Sequence, residues 1–208
     1  MKGQQDVISA LLIIVISIGL VSSAILYGMP LIQKRQEETL VSRVSNYFNP
    51  SNPNSLPSRL EYISKNGGSE RFSIGTKGLW EVNATENSLS FTLWTKYVSD
   101  KGLDRWIGKE CDAEEGFRGD IGVVGVNSPF VICSRATYEG GYIITYKIWS
   151  RELWTEDGSK GYLIKFSVPE TSPSSSATSS IELIFKDKRG EKVDGKTLII
   201  TEIEILLR

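Results

Sequence analysis

Residues 7–33 read VISALLIIVISIGLVSSAILYGMPLIQ and contain no charged side chain. Asp6 precedes the run and Lys34-Arg35 follow it. As an α-helix these 27 residues extend about 40 Å, more than the roughly 30 Å hydrocarbon core of a bilayer. The surface helix of a soluble domain is apolar on one side only, because its other side meets water. This run is apolar all round, so lipid or other apolar helices must surround it. No later stretch of the chain matches it in length or hydrophobicity.

Three fates suit such a run. As a secretory signal, residues 7–20 form the apolar core and Ser22-Ser23-Ala24 the small-residue cleavage site, leaving Ile25 first. Against this, the leading MKGQQD sets a single Lys against Asp6, and apolar residues continue beyond Ala24 through Ile25, Leu26, Tyr27, Met29, Leu31 and Ile32. As a permanent anchor, the run places Tyr27 toward an interface and lets Lys34 and Arg35 snorkel to head groups. In that form the chain would be an uncleaved single-pass protein. It then resembles archaellum stator proteins, which share such an N-terminal segment and a β-sandwich, and the resemblance implies an outer domain that binds a surface-layer or archaellum component.

The third fate rests on Lys2-Gly3-Gln4 ahead of the run. A basic residue, a glycine and a polar residue before a hydrophobic helix resemble the class III signal peptide of archaeal type IV pilins and archaellins. The resemblance covers about the first 35 residues. It implies that a prepilin peptidase cuts between Gly3 and Gln4 and that the helix stays in the mature subunit. It also implies a membrane-held precursor and a homo-oligomeric surface filament, with contacts to other pilins, a surface layer or surface glycans. Many members carry Glu shortly after the cut; here the acid is Asp6, two positions earlier than usual. The small residues Ser9, Ser17, Gly19, Ser22, Ser23, Ala24 and Gly28 would let such helices approach closely.

Beyond the run, Leu40, Val41, Val44, Tyr47 and Phe48 recur at helical spacing with Glu37, Glu38, Ser42, Arg43 and Asn46 between them. The helix therefore continues to residue 48 as an amphipathic half. Pro30 removes one backbone donor and should kink or loosen it. Three prolines within residues 49–57 (NPSNPNSLP) end it as a hinge. The expected organisation is a leader at 1–3, a membrane or filament-core helix at 4–48, a hinge at 49–57 and an extracellular domain at 58–208.

In that domain the periodicity becomes two. Strands are expected over 71–74, 79–82, 88–98, 122–126, 130–134, 142–154, 162–168, 181–185 and 197–207. Asp100-Lys101-Gly102 marks a turn, and Asp157-Gly158 between two alternating runs marks a hairpin. In the last strand Ile199, Thr201, Ile203, Ile205 and Leu207 share one face. Residues 169–180 (PETSPSSSATSS) read as a loop open to O-glycosylation, and 186–196 as a charged turn. The fold class is α+β: a long hydrophobic helix followed by a mostly antiparallel β-sandwich, pilin-like, of about seven to nine strands.

Composition narrows the chemistry. The chain has no histidine, which removes His-based nucleophile systems, His-ligated metals and the usual neutral-pH acid–base group. A net charge of −1 and a pI near 5.7 leave no basic stripe for nucleic acid. Cys111 and Cys133 either pair in an oxidising compartment or stay as two buried thiols. Their spacing fits no metal-ligand set. Asp112, Glu114, Glu115 and Asp120 depart from the calcium-loop spacing and read as a solvated acidic loop. Trp80, Trp94, Trp106, Trp149 and Trp154 are expected mainly in the core rather than on a carbohydrate-binding surface. Asn83-Ala84-Thr85 is a glycosylation sequon. No cofactor motif occurs, and the expected role is structural, not catalytic.

Overall fold

The computed structural model describes residues 2–96 and 104–208, with side chains from Ala10 onward. The expected turn at Asp100-Lys101-Gly102 lies outside the described residues. Helix α1, Lys2–Phe48, is one uninterrupted helix of 47 residues that passes through Pro30, about 70 Å long at 1.5 Å per residue. Its two halves differ in surroundings. From Ala10 to Gln36 every side chain is exposed except the half-buried Gly28 position. After that the expected stripe sinks into the domain, with Val44 and Phe48 buried and Leu40, Val41 and Tyr47 packed against the core.

The hinge is shorter than its prolines suggest. A second helix, α2 (Leu56–Asn66), begins within it and fills most of the stretch ahead of the first expected strand at 71–74. Pro57 lies at the first helical positions, where its missing N–H would have had no partner anyway. Leu56, Leu60 and Ile63 follow at i, i+4 and i+7 and are all buried.

Among the described residues nine strands follow: β1 Ser69–Asn83, β2 Ser88–Thr95, β3 Gly122–Val123, β4 Phe130–Tyr138, β5 Tyr142–Ser150, β6 Leu153–Trp154, β7 Lys160–Ser167, β8 Ser175–Val193 and β9 Lys196–Leu207. All join one sheet in the order β3-β6-β7-β9-β8-β1-β2-β5-β4. Of the pairings among these strands, β7–β9 and β3–β6 are parallel and the others antiparallel. The sheet curls until β7 packs across β1 and β5, its neighbours in space but not in the ladder. Phe130 of β4 stacks on Phe166 of β7 at 6.2 Å. Asn87 ties the same closure, donating to the Ile164 carbonyl at 2.7 Å and accepting from the Phe166 N–H at 2.8 Å.

Several local expectations change. The two short strands at 71–74 and 79–82 are one strand with an irregularity between Ser73 and Gly78. The Asp157-Gly158 turn exists, but only the two-residue β6 pairs with β7 across it. β5 is taken by β2 and β4 on its two sides, so it has no edge left for β7. The Asp-Gly hairpin that joins two long strands is Asp194-Gly195, where φ is 51° and 80°. Positive φ at both positions suits the twist of a two-residue hairpin. Residues 186–193, expected as a turn, are therefore the outer half of β8. Residues 175–180, expected as loop, pair with β1; main-chain bonding there needs no apolar side chain. In β9 the buried face changes phase, with Leu198 and Ile200 buried in the outer half and Thr201, Ile203, Ile205 and Leu207 in the inner half. Ile199 is only half-buried.

Phe48 fills the curl. Its ring lies 5.0 Å from Tyr146, 6.4 Å from Phe91 and 6.3 Å from Trp80, residues of three different strands. Phe48→Ala should lower stability by about 3–5 kcal/mol, read from denaturant midpoints of the detergent-solubilised chain. Leu20→Ala, on the exposed half, should change it by less than about 0.5 kcal/mol. Equal effects would mean that the helix does not contribute to the core.

Candidate functional site: the projecting half of the helix

The residues singled out for assembly lie on the half of α1 that leaves the domain. Lys2, Gly3 and Gln4 belong to its first turn, but their side chains and that of Ser9 lie outside the described residues. Leu11, Ile14, Ile18, Leu20, Ile25 and Leu26 are exposed, Leu26 to 71%. Among the described residues, α1 is the one helix long and apolar enough to cross a membrane. At 100° per residue Ser17, Ala24 and Gly28 fall on one side, while Gly19, Ser22 and Ser23 fall on the opposite side. A methyl group added at Gly19 or Gly28 would meet nothing within 4 Å. These small residues therefore open two faces of the helix, where the Ser23 hydroxyl donates to the Gly19 carbonyl at 2.8 Å.

Polar contacts fix where the helix enters the domain. The Thr95 hydroxyl donates to Glu37 Oε2 at 2.6 Å, and the Lys96 N–H donates to the same oxygen at 2.5 Å. One turn further, the Tyr146 hydroxyl donates to the Val41 carbonyl at 3.5 Å. Burial pushes the Tyr146 phenol up to about 12, partly offset by a hydrogen bond with Ser45. It stays a neutral donor at any ordinary pH. These contacts give the amphipathic half a set register against β2 and β5, which a sequence pattern of apolar residues alone does not show.

On the opposite face of β4 and β5 lies a second small core. Cys111 and Cys133 are disulfide-bonded with their Cα atoms 6.0 Å apart. Around them pack Val131 and Trp149, with Trp106 and Phe117 partly buried. Trp106 meets Trp149 edge-on at 5.4 Å. A side chain at Gly108 would come within 2.3 Å of the Ile132 carbonyl, so the loop passes too close for any other residue. Arg151, buried, binds Glu110 at 2.5 Å and donates through Nε to the Ser128 carbonyl at 2.7 Å. Nothing local in the sequence distinguishes Arg151 from Lys147, the other cation in the alternating run 142–154.

The remaining candidates are dispersed. Asp112 accepts N–H groups from Glu114 and Glu115 and pairs with Arg118 at 2.6 Å. The Glu115 and Glu114 amides, with Arg118 beside them, hold its carboxyl below the usual carboxylate range. That acid organises its own loop. Trp80 and Trp149 are buried, Trp106 and Trp154 half-buried, and Trp94 is 55% exposed. Asn83 ends β1 at the surface turn before β2, where its Oδ1 accepts the Thr85 and Glu86 N–H groups. Comparison with protein families, curated proteins and solved structures finds no match.

The disulfide closes the outer lobe and lies apart from the main core. Its loop of 22 residues' separation corresponds to about 3 kcal/mol of chain entropy. Reduction should lower the melting temperature and speed amide exchange in residues 106–117, while β1, β8 and β9 keep their protection. Uniform loss of protection would show that the two cores unfold as one.

Proposed function

We propose that the chain is a structural subunit of an archaeal type IV pilus-like surface filament. It is held in the membrane as a precursor, cleaved after Gly3 and assembled by bundling of its N-terminal helices. The observation that supports this reading most is the division of α1. Its second half is docked in the sheet, while residues 10–36 extend from the domain with their apolar side chains uncovered. Such a surface is stable only in lipid or against similar helices, since burial stabilises by about 25 cal/mol per Å2 of apolar area. The resemblance of Lys2-Gly3-Gln4 to a class III leader supplies the route from the first environment to the second.

The role is mechanical rather than catalytic. The β domain faces outward and sets the filament surface, where Asn83 offers a glycan attachment point. Small residues on two faces of the helix suit a bundle in which each copy has neighbours on several sides.

N-terminal sequencing of the mature protein tests the proposal. A start at Gln4 supports it. A start at Met1 indicates the permanently anchored form, and a start at Ile25 the secreted one; either would overturn the filament reading. Gly3→Val should stay uncleaved and form no filaments by electron microscopy, whereas filaments from that variant would show the leader assignment to be wrong.

A further inference from the structure

The end of the sheet nearest the projecting helix carries an aromatic rim in which Trp94 and Tyr138 are exposed and Tyr142 is half-buried. β2 ends here at Thr95, and Thr95 with the following Lys96 clamps Glu37. Glu37 stands five residues beyond Ile32, so the clamp lies about 7.5 Å along the helix axis from the end of the apolar run. Strand register sets the height of the rest. Tyr142 pairs with Thr95, and Tyr138 pairs with Tyr142, so the tip of the β4–β5 hairpin is level with the clamp. Tyr138 is 62% exposed and meets the Tyr142 ring edge-on at 5.2 Å. On the other face of the sheet Trp94 lies over Gly141, where an added Cβ would come within 2.4 Å of the indole nitrogen. Gly141 thus provides the shelf that holds an exposed indole flat at the strand end.

A bilayer's polar layer is about 5–8 Å deep on each side of its hydrocarbon core. With Ile32 at the edge of that core, the rim falls within the polar layer. Trp and Tyr favour this depth, because each ring has an apolar body and a polar tip. Among the described residues at this level, three cations (Lys34, Arg35 and Lys96) match three carboxylates (Glu37, Glu38 and Glu139) in number, with Glu37 held by the clamp and Glu38 lying 3.9 Å from Lys34. Attraction to anionic lipid is therefore not what would seat this surface; the rings are.

We propose that Trp94, Tyr138 and Tyr142 form a lipid headgroup contact that seats the β domain on the membrane while α1 spans it. This rests on the reading that the apolar run lies in lipid before assembly. The contact sets the tilt of the domain on the precursor and is released when the helix leaves the bilayer.

The test uses the full chain in phosphatidylcholine vesicles carrying nitroxide either on the head group or on the acyl chain. Headgroup nitroxide should quench the wild-type tryptophan emission, and Trp94→Phe should remove most of that quenching at low and high salt. Tyr138→Trp added to Trp94→Phe should restore it. Tyr27→Trp, inside the apolar run, should gain quenching from acyl-chain nitroxide. If Tyr27→Trp is quenched but wild type and Trp94→Phe respond alike to the headgroup probe, the rim stands clear of lipid and this inference fails alone. If Tyr27→Trp shows no acyl-chain quenching, the helix is not in the bilayer, and the membrane reading falls together with the rim.

Discussion

Insertion of the α1 stripe into the curled sheet is the contact on which the rest depends. A sheet of nine strands that bends back on itself must fill its interior, and its own side chains do so only in part. Phe48 completes it by touching one aromatic from each of β1, β2 and β5. Val44 lies one turn earlier and is fully buried. The α2 helix closes the next part with Leu56, Leu60 and Ile63. Because the stripe is part of the core, the helix cannot be withdrawn without opening the sheet. The connection between projecting helix and domain is thus a packed joint, with Glu37 and Val41 adding polar contacts at its mouth.

This joint explains why one helix has two solvents. Its periodic half obeys the ordinary rule for a surface helix, with a buried stripe and polar residues outward. Its other half has apolar side chains on every side, and the domain covers none of them. Pro30 falls in this uncovered part, away from the packed stripe, so the lost backbone bond does not disturb the core. The placement of glycine and serine on two faces also separates this helix from a simple pairing motif, in which small residues share one stripe.

The two halves were readable from sequence because each has a strong period: continuous apolarity before residue 33, then 3.6 through Phe48. Pairing of the cysteines was one of the two readings their placement allowed, and it is the one the structure shows. What escaped was set by non-local partners. Pro57 looks like a breaker until its position at a helix start is seen. Asp157-Gly158 and Asp194-Gly195 carry the same turn signal. Only the occupancy of β5 by β2 and β4 decides which of the two joins long strands. Residues 175–180 lack apolar side chains, so nothing local marks them as a strand; they are one because β1 offers its main chain. The burial phase of β9 shifts near Ile200, and a period-2 pattern cannot foresee a change of buried face. The level of Trp94 relative to the helix likewise appears only from strand register and the Glu37 clamp.

The sheet's edges bear on how copies of this chain can meet. An open strand edge is a template for another strand, and proteins blunt such edges with short strands, charges or covering loops. Here β3 at one edge has two residues. At the other, β4 is partly covered by the segment carrying Ile107, which bridges to Ser134. The disulfide and the Arg151–Glu110 pair hold that outer lobe in place. The outer half of β8 extends beyond its pairing with β1 and carries Lys186, Asp187, Lys188, Arg189, Glu191 and Lys192, which oppose a second strand by charge and hydration. Each edge is thus discouraged from pairing by a different device, while the apolar half of α1 has no such protection. Strand addition is thus disfavoured on the same molecule that leaves the apolar side chains of its helix uncovered.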